Sequence, residues 1–263
     1  MDLGLQGKNA LITGGSIGIG EAIALALAQE GVRVGICSRD LERGEASAAA
    51  AAAESDGTVR AFQADVSKES DINRLASEVT ESLGSVDILI NNAGTGSEET
   101  IIDAPDAKWQ YYWDLHVMAA VRLSRALVPG MRGRDGVIIN NASICARQPL
   151  YYEPIYNTTK AALVMMTKCL ANELIQDKIR VNSVNPGLVR TPDWEKTAAI
   201  LGPKEGITAE AYLDRIAKEH TPIGRFATPD EIARFFVFLA SPAASYSVGS
   251  TYYVDGGWLN VAG

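Results

Sequence analysis

The chain has 263 residues, room for one large α/β domain, and its 47% apolar and 21% charged residues are those of a soluble globular protein. A net charge of −8 argues against a nucleic-acid partner, and no run of about eighteen apolar residues offers a membrane span. Two histidines, His116 and His220, and three scattered cysteines, Cys37, Cys145 and Cys169, suit neither a metal site nor a disulfide framework.

The start, "MDLGLQGKNALIT", opens with an acidic residue, Asp2, and runs straight into a strand-like segment, so no leader peptide and a cytoplasmic location with reduced thiols are expected. The first strand is "NALIT" (9–13). It enters "TGGSIGIG", Thr13 to Gly20, and a helix pattern follows at once. The glycines let backbone N–H groups approach a phosphate, and the helix N-terminus adds partial positive charge. The candidate contacts are Gly14, Ser16, Ile17, Gly18, Ile19 and Gly20; the spacing is G-x-x-x-G-x-G rather than G-x-G-x-x-G, and a turn with no ligand is the alternative.

The second strand, "VRVGIC" (32–37), ends at "CSRD". In dinucleotide folds this point meets the adenosine ribose, where a carboxylate binds the 2′-hydroxyl and an arginine accommodates a 2′-phosphate. Arg39 therefore points to NADP(H). Asp40 is the counter-signal, unless it begins the next helix. An alanine-rich surface helix (46–54) follows, then "TVRAFQA" (58–64), an amphipathic stretch, "VDILIN" (86–91) and "GVIINN" (136–141). After "IRVNSV" (179–184), residues 192–226 break the rhythm with a helical pattern of their own, "AEAYLDRIAKE", and are expected to form a substrate lid. The helix of "TPDEIARFFVFLA" and the strand "TYYVD" (251–255) complete the chain. The alternation predicts a single α/β domain over 1–263, a doubly wound parallel sheet of Rossmann type. The apolar density of the first, fourth and fifth strands predicts burial on both faces.

The stretch "YYEPIYNTTK" (151–160) places three tyrosines ahead of one lysine. Proline in the first turn and the apolar pattern beyond it predict a helix. Tyr156 and Lys160 are i and i+4 and share a face; Tyr151 and Tyr152 have no such cation. At an effective dielectric of about 20, an ammonium some 4 Å from a developing phenolate contributes roughly 4 kcal/mol, enough to move a phenol toward neutrality. Alone, the pair is common by chance, and a surface tyrosine packed on a lysine stem is the favoured reading. Ser143, at the end of the fifth strand, adds a hydroxyl that can bond the oxygen Tyr156 protonates; otherwise it is a turn or cap residue.

Taken together, "TGGSIGIG", "NNAG" (91–94), Ser143 with "YNTTK", "NPGLVRT" (185–191) and "VDGG" (254–257) resemble the short-chain dehydrogenase/reductase superfamily over essentially the whole chain, the branch similar to 3-oxoacyl-carrier-protein reductases. The resemblance implies hydride transfer between NADP(H) and a small-molecule carbonyl or alcohol. It implies Tyr156 as acid/base, Ser143 as carbonyl orienter, and Lys160 on the nicotinamide ribose. Asp65 and Val66 would flank the adenine; Asn92, Ala93 and Gly94 would line the cofactor. Pro186, Gly187, Val189 and Thr191 would lie at the nicotinamide. Relatives pair the helices around 106–130 and 154–176, so a homotetramer is expected. One departure stands out: in "WQYYWDLHVMAA" the position of the relatives' proton-relay asparagine falls on His116. It is either a relay residue that titrates near neutrality or a packed histidine.

Ile144, Cys145, Leu150, Tyr151, Tyr152, Leu188 and Trp194 are expected to border the substrate; their apolar and aromatic character favours a lipophilic or aromatic ketone over a free sugar, and the resemblance suggests a 3-oxoacyl-type compound. The alternatives are an NAD-dependent alcohol dehydrogenase of the same fold and a non-catalytic NADP-binding regulator. The intact tyrosine and lysine disfavour the regulator.

Overall fold

A computed structural model describes residues 2–55, 57–150 and 153–260. Seven strands are present among them: β1 (Asn9–Thr13), β2 (Arg33–Ser38), β3 (Val59–Gln63), β4 (Ile88–Asn91), β5 (Val137–Asn141), β6 (Arg180–Pro186) and β7 (Thr251–Val254). They form one parallel sheet in the order β3-β2-β1-β4-β5-β6-β7. The sequence expectation of a doubly wound parallel sheet is met, with strand ends shifted by a residue or two.

Because strand side chains alternate between faces, each strand feeds two cores. Ala10 and Ile12 of β1 join Val34 and Ile36 of β2 on one face. That face packs against α1 (Gly18–Gln29), α2 (Leu41–Ala53) and α9 (Pro229–Ala240). Leu11 and Leu89 face the other way, onto α3 (Glu69–Leu83), α5 (Ala119–Met131) and α6 (Pro154–Leu174). Strands β1, β4 and β5 are buried along their whole length, as their composition predicts. The chain leaves β1 toward β2 and β3, then returns to place β4 on the other side. A crevice opens at the carboxyl ends of β1 and β4, where such sheets bind ligands.

Two features differ from the pattern read in the sequence. Helix α4 (Asp106–Trp113) does not run straight into α5; one π turn, Asp114–Met118, joins them, with the Ala119 N–H reaching the Asp114 carbonyl. And residues 192–226 hold two helices: α7 (Pro192–Lys204) precedes the expected α8 (Ala209–His220). Ala198, Tyr212 and Leu213 form a small apolar core between them. Arg190, just before α7, bonds Glu195 of α7 at 3.2 Å and Glu210 of α8 at 2.9 Å.

Candidate active site

The glycine loop sits in the crevice because neighbouring side chains pin it there. The Thr13 hydroxyl accepts from the Asn92 and Ala93 amides, both at 3.0 Å. The Asn92 side chain returns the bond to the Thr13 and Gly14 carbonyls at 2.9 and 3.1 Å. Gly14 has φ +65°, and a Cβ there would stand 3.0 Å from the Ala93 Cα. A Cβ at Gly20 would run into the Gly14 carbonyl. The loop thus closes only with these glycines. Ile17, at the N-cap of α1, supplies no side-chain cap. The first-turn N–H groups of α1 lack a side-chain cap and can bond an anion.

A cleft of about 600 Å³ runs from this loop across the ends of β4, β5 and β6. All the cofactor residues read from the sequence line it, from Gly14 through Arg39, Asp65 and Asn92 to Thr191. The cleft fits a nicotinamide dinucleotide: a cradle that only glycine leaves open, an uncapped helix start, and a long floor of small residues. Such a cofactor supplies the hydride to the chemistry described next.

At the far end of β2 the ambiguity over Asp40 resolves. Its carboxylate accepts from the Arg43 N–H at 3.1 Å and caps α2, and it does not line the cleft. Ser38, Arg39 and Arg43 line it instead.

At the other end, Ser143, Tyr156 and Lys160 all line the cleft. Ser143 follows β5; its backbone carbonyl is held by the Asn185 side chain at 2.7 Å. Its hydroxyl accepts from the Cys145 N–H at 3.2 Å, so it is indeed a cap, and its own proton remains to be donated. Tyr156 lies in the first turns of α6, its amide bonded to the Ser97 hydroxyl at 3.2 Å. Lys160, one turn on, has its Nζ 5.3 Å from the Tyr156 ring centroid and 2.7 Å from the Asn141 carbonyl. Burial pushes the Lys160 ammonium down to about 8. A phenol beside a buried ammonium, in a cleft that also holds a hydroxyl with a proton to donate, can exchange a proton with a substrate oxygen.

His116 does not line the cleft; it forms the wall behind Lys160 at the centre of the π turn. Its Nε2 accepts from the Thr95 N–H at 3.3 Å, so Nδ1 carries the proton and donates to the Thr159 hydroxyl at 2.8 Å. The ring stands edge-on to Tyr156, centroids 5.5 Å apart. Burial, then the Lys160 charge, holds its pKa well below the usual histidine range. The expected titration near neutrality is therefore absent: the ring stays neutral because protonation would place a second cation beside Lys160 and break the bond from Thr95.

Of the expected substrate border, Ile144, Cys145, Leu150, Leu188 and Trp194 line the cleft, while Tyr151 and Tyr152 lie outside the described residues. Three contributors escaped the sequence reading. Asn141 holds Lys160 through its backbone carbonyl, which sequence cannot flag. Arg43 was one turn beyond Arg39. Glu153 lay inside the tyrosine stretch itself. Its carboxyl is folded over Gly96, and burial, followed by the Glu98 charge, pushes it up to about 7.

The family model described as "Enoyl-(Acyl carrier protein) reductase" matches residues 14–259. Galactitol 2-dehydrogenase of Agrobacterium fabrum is 36% identical, over 97% of this chain and 99% of its own. The 3-oxoacyl-[acyl-carrier-protein] reductase of Thermotoga maritima is 32% identical, over 96% and 98%. The crystal structure of L-sorbose reductase from Gluconobacter frateurii, in complex with NADPH and L-sorbose, superposes with a TM-score of 0.97 at 54% identity over all of both chains. With the glycine loop, the Ser–Tyr–Lys trio and the parallel sheet in place, the chain belongs to the short-chain dehydrogenase/reductase family of oxidoreductases.

Proposed function

We propose that the protein is an NADP(H)-dependent reductase of polyhydroxy ketones, working reversibly as a polyol dehydrogenase. The observation that carries the substrate class is Glu153, a carboxyl built into the cleft wall three residues before Tyr156. A lipophilic ketone has nothing to offer such a group. A sugar hydroxyl both donates to it and accepts from it, and with a pKa of about 7 the carboxyl can do either. The apolar residues that favoured a lipophilic ketone then flank the carbon skeleton. The L-sorbose complex of the 54% identical relative supports the same class.

In this proposal Tyr156 passes the proton to or from the carbonyl oxygen and Ser143 orients that oxygen. Lys160 binds the nicotinamide ribose and favours the phenolate. His116 acts as a positioning residue that holds the Thr95 loop and α6 against Lys160. Arg39 selects the 2′-phosphate. Helices α7 and α8 form the lid. Trp113 and Met165, exposed on α4 and α6, support the homotetramer, and three unpaired cysteines support a cytoplasmic location. No helix among the described residues is long and apolar enough to cross a membrane.

The test is NADPH-dependent turnover of L-sorbose against cyclohexanone, in wild type and Glu153→Gln. The ketose should be the better substrate, and the variant should lose about tenfold or more of kcat/KM on it alone, the scale of a hydrogen bond to a charged group. Preference for cyclohexanone in the wild type would return the lipophilic assignment.

A further inference from the structure

We infer that Arg43 is a second specificity-determining residue, closing on the cofactor's 2′-phosphate from the glycine-loop side over a floor made by Ser16 and Ser38. The inference rests on the NADP(H) reading above and adds to it who holds the phosphate. The Arg43 Nε donates to the Ser16 hydroxyl at 3.3 Å, which lays the guanidinium across the mouth of the loop, where it lines the cleft. Ser16 and Ser38 are 4% and 6% exposed, and their hydroxyl oxygens are 3.0 Å apart.

Counting protons decides what this floor wants. The two hydroxyls carry two protons. One is used between them. The oxygens also receive the Arg43 Nε–H and the Asp40 N–H, the latter on Ser38 at 3.2 Å. One hydroxyl proton is therefore left over beside the guanidinium of Arg43, which lines the same cleft. A site with surplus donors and positive charge is complementary to an acceptor-only dianion, and a ribose 2′-hydroxyl would leave it undersatisfied. Among the described residues no carboxylate forms an ion pair within 4.0 Å of the guanidinium of Arg39 or Arg43, although the chain carries a net charge of −8. The nearest acid in sequence, Asp40, spends its carboxylate on the α2 cap.

The test is calorimetric binding of adenosine 2′,5′-bisphosphate and of 5′-AMP to wild type, Arg43→Ala, Arg43→Lys and Arg39→Ala, with melting temperatures in parallel. Arg43→Ala should weaken the bisphosphate about tenfold or more while leaving 5′-AMP within about twofold. Arg43→Lys should recover only part, having no Nε–H to tie to Ser16 while its Nζ reaches the phosphate. If Arg43→Ala weakens both ligands alike, or changes only the melting temperature, Arg43 merely fastens α2 to the loop and the inference is overturned. If Arg39→Ala loses the bisphosphate and Arg43→Ala does not, Arg39 works alone and only the inference fails. A wild type that does not distinguish the two ligands defeats the NADP(H) reading itself.

Discussion

The two ends of the cleft are built on different principles. The loop proposed to hold the nucleotide's phosphates is made of backbone: glycines at 14, 18 and 20, uncapped amides at the start of α1, and one threonine hydroxyl holding two more amides. The end proposed for catalysis is made of buried polar side chains tied across the fold to distant backbone groups and to one another. Lys160 reaches Asn141, Asn185 reaches Ser143, and His116 spans Thr95 and Thr159. A chain of amides joins the two ends, with Asn141 bonded to Asn92 at 2.8 Å and Asn92 to the loop carbonyls. Binding a phosphate thus needs space and free N–H groups, whereas moving a proton needs groups held at fixed distances in a dry wall.

The difference is broken most severely at Tyr156. Tyr156→Phe should cut turnover by about 10²–10⁴-fold while NADPH affinity, followed by fluorescence titration, stays near wild type. Tyr151→Phe and Tyr152→Phe should keep most of their turnover. Comparable activity in Tyr156→Phe would remove the proton donor from the catalytic end.

Next comes the wall behind it. His116→Leu leaves the Thr95 N–H without its partner and takes from the Thr159 hydroxyl the N–H it accepts, and should cost about tenfold or more in kcat. His116→Asn should recover much of that, and KM for NADPH should hardly move. Because the ring stays neutral, the wild-type pH–rate profile between about pH 5 and 9 should contain no limb that vanishes in His116→Asn. A limb that does vanish would restore the titrating histidine.

At the nucleotide end the signature is affinity, not turnover. Gly14→Ala must take φ +65° and meet Ala93, a cost of about 1–2 kcal/mol that should appear as an approximately tenfold weaker NADPH Kd with kcat at saturation little changed. A fall in kcat with unchanged Kd would show that the two ends are not separable.

The smallest effect is on stability. Glu153 has a folded pKa of about 7 against an ordinary 4.5, so its protonated form is favoured in the fold. Its contribution is fully present below about pH 4.5 and is lost as pH rises through about 7. Glu153→Gln should therefore gain melting temperature relative to wild type, by a few degrees, between about pH 4.5 and pH 8. Parallel melting curves for the two proteins would show the carboxyl to be less buried than the fold places it.

What could be read from the sequence divides along the same line. The sheet, its order of burial and the glycine loop are local patterns, carried by alternation and by spacings of a few residues. Tyr156 and Lys160 were visible because i and i+4 share a helix face. The partners of His116 lie 21 and 43 residues away, so only the fold shows that both ring nitrogens are occupied. Helix α7 escaped notice because Pro192, Gly202 and Pro203 look like loop residues; the prolines in fact sit at its first and penultimate positions. Asp40 was ambiguous because a ribose ligand and a helix cap use the same side chain at the same place.

The π turn at Asp114–Met118 has a consequence for how this protein tolerates gaps. One residue more than a regular helix needs advances everything after it by about 100° around the axis. With that advance, Leu123, Leu127 and Met131 of α5 join the core while His116 lies with Lys160 beside Gly94. Deleting any single residue between 114 and 118 would force a choice: either the histidine leaves the wall or the apolar stripe of α5 turns away from its core. The site and the core share one helical phase, so a shortening here disturbs both together, whereas a substitution of His116 disturbs only the wall.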